Sequence, residues 1–325
     1  MSWQTKLTWH NAKIKAGIIH NIRTFFHEKH VFEVDTPLLS NGTITDEHLD
    51  AFTVPYDYFN DSPLGHSSHL YLQTSPEFAM KRLLASGYGC IYQITKAFRD
   101  EAYGRFHNPE FTMLEWYRLG FDHFALMDEV SELLQRIIRC KQPHRMTYQE
   151  VFINHTNIDP LKTSNNELIA LLQQHNKLSD WLVNESDIDT LLQVIFSELI
   201  EPNIGLDAPC FIYNFPRSQA SLAKISADDG RVAERFECYY QGIELANGFH
   251  ELTDVDVQRL RFEQDNAKRV LANKPERPID ENFLLALKSG LPPCAGVALG
   301  IDRLLMLTMK EEHIEQVQSF IITDA

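Results

Sequence analysis

The 325-residue chain carries 30 Lys and Arg against 45 Asp and Glu, a formal net charge of −15, and is 44% hydrophobic. This length and apolar content support one large domain with an insertion or two smaller ones, while the acidic balance argues against a protein whose main task is to grip a nucleic-acid backbone. No run approaches the roughly 20 apolar residues of a membrane helix, and Cys90, Cys140, Cys210, Cys238 and Cys294 form no C-x-x-C pair, so a cytoplasmic, reducing setting is expected, without a disulfide frame or a cysteine zinc site.

Ile14, Ile18, Ile22, Phe25 and Phe26 recur at helical spacing and predict an amphipathic helix over residues 11–29. An extended run, Val31 to Val34, follows and leads to Pro37, which suits an edge or a chain turn. Residues 41–69 are polar; short strands, including Thr53-Val-Pro55, and loops are expected there. At Thr74-Ser-Pro-Glu77, Ser75 reads as a helix N-cap and Pro76 as the first helical residue, with Gly87 ending the helix. Glu77 then sits in the first turn, where a carboxylate complements the dipole.

The stretch from Phe98 to Tyr117 reads as a strand, a polar loop and a returning strand. Alternation at period 2 puts Arg99 and Glu101 on one face, and Phe111, Met113, Glu115 and Tyr117 on one face of the partner. Such a charged and aromatic pair of faces presents a polar ligand site, not a core. Residues 121–139 predict a helix with Leu126, Val130, Leu133, Leu134 and Ile137 on one side. The capping box Ser164-Asn-Asn-Glu167 opens another helix, and residues 187–200 a third.

Cys210 to Phe215 is a predicted strand, and Arg235–Tyr240 and Ile243–Ala246 flank the tight turn Gln241-Gly242. Asn247-Gly248 is expected to break the second strand before Phe249-His-Glu251. Glu244 and Glu251 are oxygen donors of the kind that holds Mg²⁺ on a nucleotide. Residues 259–272 form a charged helix, with Arg269 and Lys274 expected on its solvated side. Near the end, Gly296-Val-Ala-Leu-Gly300 reads as a small-residue strand entering a helix that carries Arg303. Glycine permits close approach of a ligand to backbone, and a helix start favours phosphate.

The wording is more specific than the pattern. Phe98-Arg-Asp-Glu101, the loop Arg105-Phe-His-Asn-Pro-Glu-Phe111 and the acidic, aromatic strand after it resemble motif 2 of the class II aminoacyl-tRNA synthetases, in the form used by the lysyl branch. The first helix and Pro37 resemble motif 1, and Gly296 to Arg303 resembles motif 3. Thr74 to Phe78 resembles the T-x-P-E stretch of the amino-acid pocket, and Ile243 to Leu252 resembles E-I-G-N-G-F-S-E-L. Three positions depart from the lysyl pattern: Asp100 replaces asparagine, and Ala246 and Ala298 replace glycines.

The resemblance implies an α+β fold, a class II antiparallel sheet flanked by helices. Residues 1–325 then form a single catalytic domain with a helical insertion at about 120–205. It implies ATP contacts by Arg99, Asp100, Glu101, His107, Asn108, Phe111, Glu244, Leu245, Gly300 and Arg303. Arg99 would hold the α-phosphate and the acylated carboxylate, Phe111 would stack on adenine, and Arg303 would bind toward the γ-phosphate. Substrate contacts would come from Ser75, Pro76, Glu77, Tyr117, Glu251 and Ala298, with Glu77 facing an ammonium group. Glu244 and Glu251 would hold Mg²⁺ through ATP, and motif 1 would build a homodimer.

No anticodon-binding barrel is expected, because the first helix leads directly into motif 1. A synthetase body without a tRNA reader, together with phrases such as Glu201-Pro-Asn-Ile-Gly205 and Arg231 to Glu237, resembles the bacterial paralogues that ligate β-lysine to a lysine ε-amine of elongation factor P. Elongation factor P and β-lysine are then the expected partners, with neither tRNA nor membrane. Three alternatives stay open: a truncated lysyl-tRNA synthetase, an amide-forming enzyme with ammonia as acceptor, and a non-catalytic paralogue.

Overall fold

A computed structural model describes residues 3–56 and 69–325; the central part of the polar stretch expected to hold short strands and loops lies outside the described residues. The chain forms two compact units, Met1–Phe121 with Thr253–Ala325, and Asp122–Leu252.

The first unit opens with α1 (Trp9–Glu28), capped by the Thr8 hydroxyl, which accepts from the Asn11 amide. The apolar stripe read from the sequence is its buried face: Ile18, Ile22, Phe25 and Phe26 are all buried. Then come β1 (Phe32–Glu33), β2 (Leu39–Ser40), β3 (Thr53–Pro55), β4 (His69–Leu72), α2 (Glu77–Ala85), β5 (Ile91–Phe98) and β6 (Glu110–Leu119). β2, β4 and β3 make a small antiparallel sheet. The expected extended run at 31–34 is a two-residue strand parallel to β5. Phe26 stacks on Tyr92 at 4.4 Å and meets Trp116 edge-on, which seats α1 on β5 and β6.

In the second unit, α3 (His123–Ile138) is capped by Asp122. It is followed by β7 (His144–Thr147), α4 (Tyr148–Thr156), α5 (Asn165–Gln174) and α6 (Ile188–Ile195), which runs on as a π-turn through Ile200. β7 and α4 escaped the sequence reading because both are short, although Thr147 and Glu150 make a complete capping box. β8 (Cys210–Pro216), β9 (Val232–Tyr240) and β10 (Ile243–His250) complete the unit. β7 pairs parallel to β8, and β8, β9 and β10 are antiparallel in turn. Tyr148, Phe152, Leu172, Leu191, Ile195 and Phe196 pack with Ile212 and Tyr239 as the unit's core.

Returning to the first unit, the chain forms α7 (Val255–Leu271), α8 (Glu281–Gly290), β11 (Cys294–Gly300) and α9 (Ile301–Met309). β5, β6 and β11 are antiparallel neighbours. Phe78 of α2 stacks on Phe283 of α8 at 4.5 Å, and Phe262 of α7 closes the same cluster.

Three local expectations need correction. α2 starts one residue late: Pro76 is its cap position, and the Ser75 hydroxyl accepts from the Glu77 amide at 3.0 Å. Asn247-Gly248 does not break β10, which pairs without interruption there; the irregularity is a bulge between Glu244 and Ala246. Arg269 and Lys274 are not a solvated face. Arg269 is 0% exposed and donates to the carbonyls of Pro275 and Asp46 and to Asp50, while Lys274 binds the same Asp50. A guanidinium whose donors all find oxygen can be buried, and helical periodicity says nothing of partners that distant in sequence.

Candidate active site

Register in the first unit decides which side chains share a face. Tyr117, Glu115 and Met113 of β6 lie opposite Gly296, Ala298 and Gly300 of β11. On the other side they lie opposite Ile91, Gln93 and Thr95 of β5. Cross-strand partners point the same way, so Ala298 stands directly beside Glu115 and the three small residues of β11 leave room over that face. A Cβ on Gly300 would meet only the Arg303 side chain at 3.6 Å, an ordinary contact. Packing within the protein therefore does not require glycine at 300.

Arg99 extends β5 by one step, its amide donating to Pro109 O at 2.9 Å. Its guanidinium lies 5.0 Å over the Phe111 ring. The strand stops there: the Glu101 amide donates back to Arg99 O at 2.9 Å, a three-residue turn. Glu101 therefore does not share a strand face with Arg99, contrary to the alternation read from sequence. Asp100 is exposed, and its amide is tied to Asp50 O at 2.8 Å. The loop is closed by Gly104 N–H donating to His107 O.

Arg303, at the start of α9, reaches the motif 2 loop. Its Nη2 donates to His107 Nε2 at 2.7 Å, and its Nε approaches Phe106 O at 3.4 Å. A guanidinium only donates, so this contact leaves His107 Nε2 as the acceptor and puts the ring proton on Nδ1. The neighbouring Asp302 is an anchor: buried, it accepts from the Thr112 amide and from Gln318 Nε2, both at 2.8 Å. Asn108, read from the motif as an ATP contact, spends its carboxamide on the backbone of β6 and of the C-terminal segment. It donates to Glu110 O at 2.6 Å and accepts from the Ile322 amide at 3.0 Å, at 4% exposure.

The segment expected to contact the amino acid is built around a residue the sequence reading did not assign. Glu115 is buried at 2% exposure; its Oε2 accepts from Ser75 Oγ and its Oε1 from Tyr117 Oη, both at 2.6 Å. Burial, with the nearby Glu77 carboxylate second, pushes its carboxyl up to about 7. Glu77 accepts from the buried ammonium of Lys81 at 2.6 Å, one helical turn on. Ser75, Glu77, Glu115 and Tyr117 thus form one cluster, with Pro76 buried as the cap of α2. The signal in the sequence was a glutamate in an otherwise apolar run, Met113 to Tyr117; a lone carboxylate between Leu114 and Trp116 must have buried partners.

In the second unit the β10 bulge changes parity. Glu244 and Glu251 are seven positions apart, which plain alternation would put on opposite faces. The extra residue at the bulge restores one face: Glu244 pairs opposite Tyr239, Asn247 opposite Glu237, and Phe249 opposite Arg235, with Glu251 next in that series. Leu245 is the inserted residue, its side chain buried at 2% exposure, so only its backbone is offered to a ligand. On the same face Glu237 accepts from Arg235, Tyr239 and Asn247. Oxygen donors such as Glu244 and the buried Glu251 fit a hard cation.

A fold with these three motif segments in this order and on these elements is that of a class II synthetase. The family model described as tRNA synthetases class II (D, K and N) matches residues 1–324, and the chain belongs to that family. Within it, the chain is 53% identical over 319 residues to the elongation factor P–(R)-β-lysine ligase of Vibrio parahaemolyticus, covering 98% of each chain. Proteins of the same name from Vibrio cholerae and Proteus mirabilis are 53% and 51% identical, each with 98% of this chain and 97% of the relative covered.

Proposed function

We propose that this chain is an ATP-dependent ligase that activates (R)-β-lysine as its adenylate and transfers it to a lysine ε-amine of elongation factor P. The observation that carries the reading is the cluster at Glu115. Two carboxylates, Glu77 of α2 and Glu115 of β6, stand beside the ammonium of Lys81, and β6 also carries Phe111 beneath Arg99. Such a site is short of positive charge and supports a substrate that brings an ammonium group. The similarity to the named ligases over nearly the whole chain supports the choice of amino acid and acceptor.

The chemistry needs no side-chain nucleophile. The amino-acid carboxylate attacks the α-phosphorus of ATP, forming the acyl–phosphate bond and breaking the bond to pyrophosphate. The acceptor amine, once it has lost its proton, then attacks the acyl carbon; the carbon–oxygen bond to phosphate breaks and AMP leaves. Arg99 holds the α-phosphate and carboxylate, and Arg303 with His107 holds the remaining phosphates, so that developing charge meets fixed donors; Glu101, a carboxylate, contacts ATP away from the phosphates. Phe111 packs on adenine, Ser75, Glu77, Glu115 and Tyr117 orient the amino acid, and Ala298 shapes its floor. Mg²⁺, held by Glu244 and Glu251, would neutralise phosphate charge. The acidic net charge of −15 supports a protein acceptor in place of tRNA. Exposed Phe32, Leu38 and Leu39 around Pro37 support a homodimer formed through this segment.

The test is ATP–pyrophosphate exchange with α-lysine and with (R)-β-lysine, followed by intact-mass measurement of elongation factor P. Faster exchange with β-lysine and a mass gain of one β-lysyl group are expected. No exchange with either substrate, or charging of bulk tRNA in place of the protein, would overturn the reading.

A further inference from the structure

The β9–β10 hairpin has a second face. On it, His250 of β10 lies beside Glu234 of β9, with His250 Nδ1 2.5 Å from Glu234 Oε2. His123, the first residue of α3, closes the group: one ligand atom from each of the three residues lies within 4.8 Å of the others. All three belong to the second unit. The bulge that turns Glu244 and Glu251 to one side of β10 turns His250 to the other.

His123 is the telling member. It is 5% exposed, and neither ring nitrogen makes a hydrogen bond of good geometry; the Asn214 side chain, within weak hydrogen-bonding reach, serves one of them at most. The Asp122 cap starts α3 at this residue, and the ring lies against Phe124 and Tyr213. A buried imidazole with an unsatisfied nitrogen calls for an explanation. Burial also lowers its pKa, which favours the neutral, ligating form.

We propose that His123, Glu234 and His250 bind one borderline divalent cation of the zinc class. Two imidazole nitrogens and a carboxylate oxygen are the donor set that zinc takes in three-ligand sites, with a fourth position left to water. The mixed nitrogen and oxygen donors set it apart from an all-oxygen Mg²⁺ site. An ion about 2.1 Å from each ligand needs ligand atoms roughly 3.4 Å apart, so the His250–Glu234 contact opens slightly and His123 swings in. The ion would join the start of α3 to both strands of the hairpin.

The experiment is equilibrium dialysis of the full chain against Zn²⁺ in excess Mg²⁺, read by elemental analysis, with thermal midpoints measured alongside. Wild type should retain one Zn²⁺ per chain and gain thermal stability from it. His123→Phe keeps the ring packing and removes the nitrogens; His250→Gln tests the other side should the first variant fold poorly. Each should bind Zn²⁺ at least about 10–100-fold more weakly, since even loss of an outer-shell partner costs that much, and lose the thermal gain. Equal uptake by wild type and both variants, including none by any, would overturn the site and assign His250 and Glu234 to a simple buried pair; the cysteines, unchanged in all three proteins, serve as the internal control.

Discussion

Two charged clusters in the first unit are built on opposite principles. Around Asp50, one carboxylate meets three cations: Arg269 at 2.7 Å, Lys274 at 2.8 Å and Arg277 at 3.3 Å. Burial alone would raise the Asp50 carboxyl, but hydrogen bonds from Lys274 and Arg269 override it and bring it down to about 2. Around Glu115, two carboxylates share Lys81, and the carboxyl rises to about 7. The first cluster is saturated and holds the chain together, tying α7 to the segment whose Asp50 carbonyl receives the Asp100 amide beside Arg99. The second is left incomplete, and an incoming ammonium group would complete it. A perturbed carboxylate therefore marks a site only when its partners have been counted.

The largest expected effect is on the phosphate side. Arg99→Ala should cut pyrophosphate exchange by on the order of 10²–10³ with the fold intact, because it removes a charged contact to the transition state; near-normal exchange would dismiss Arg99 as the phosphate anchor. The saturated cluster should respond in stability. Asp50→Asn should cost about 3 kcal/mol, in the range for breaking a buried pair, measured by urea unfolding at neutral pH. Because the folded pKa of Asp50 lies below its unfolded value, the wild-type contribution is present above about pH 4 and lost as pH falls toward 2. The variant should lack that acid-side loss, and identical acid unfolding of both proteins would show that the cluster is not the anchor described.

The incomplete cluster should respond in substrate binding. Glu115→Gln should raise KM for a lysine-type substrate roughly 10–150-fold, the worth of a charged hydrogen bond, and leave KM for ATP nearly unchanged. The folded pKa of Glu115 lies above its ordinary value of 4.5, so ionising it costs folding stability as pH rises toward about 7. The same variant should then unfold at a higher Tm than wild type at pH 8. Wild-type KM should also fall as pH rises through about 7, as the carboxylate ionises to meet the ammonium. A flat KM profile in wild type would remove Glu115 from the pocket.

The smallest effect is at Ala298, beside Glu115 on β11. A methyl group in a tight pocket is worth roughly 1–3 kcal/mol of selectivity at most. Ala298→Gly should raise kcat/KM for α-lysine relative to β-lysine, read by exchange in both proteins, and an unchanged ratio would pass the choice to Glu77, Tyr117 and Glu251.

By itself the sequence determined the elements that carry the motifs. Period-2 alternation around Phe111 to Tyr117, the glycines at 296 and 300, and the apolar stripe of α1 are local signals, because each depends on neighbours within a turn or a strand. It also determined the family, since the motif wording runs through nearly the whole chain. Only the tertiary structure decided what the charged residues do. Glu115 has a raised pKa because it is buried beside Glu77, with Ser75 and Tyr117 converging on it, and Arg269 became a buried tie because Asp50 waits more than two hundred positions away. Glu244 and Glu251 share a face because one inserted residue at a bulge shifts the parity of β10. Burial, partner count and strand register arise from contacts between distant segments, and no local period encodes them.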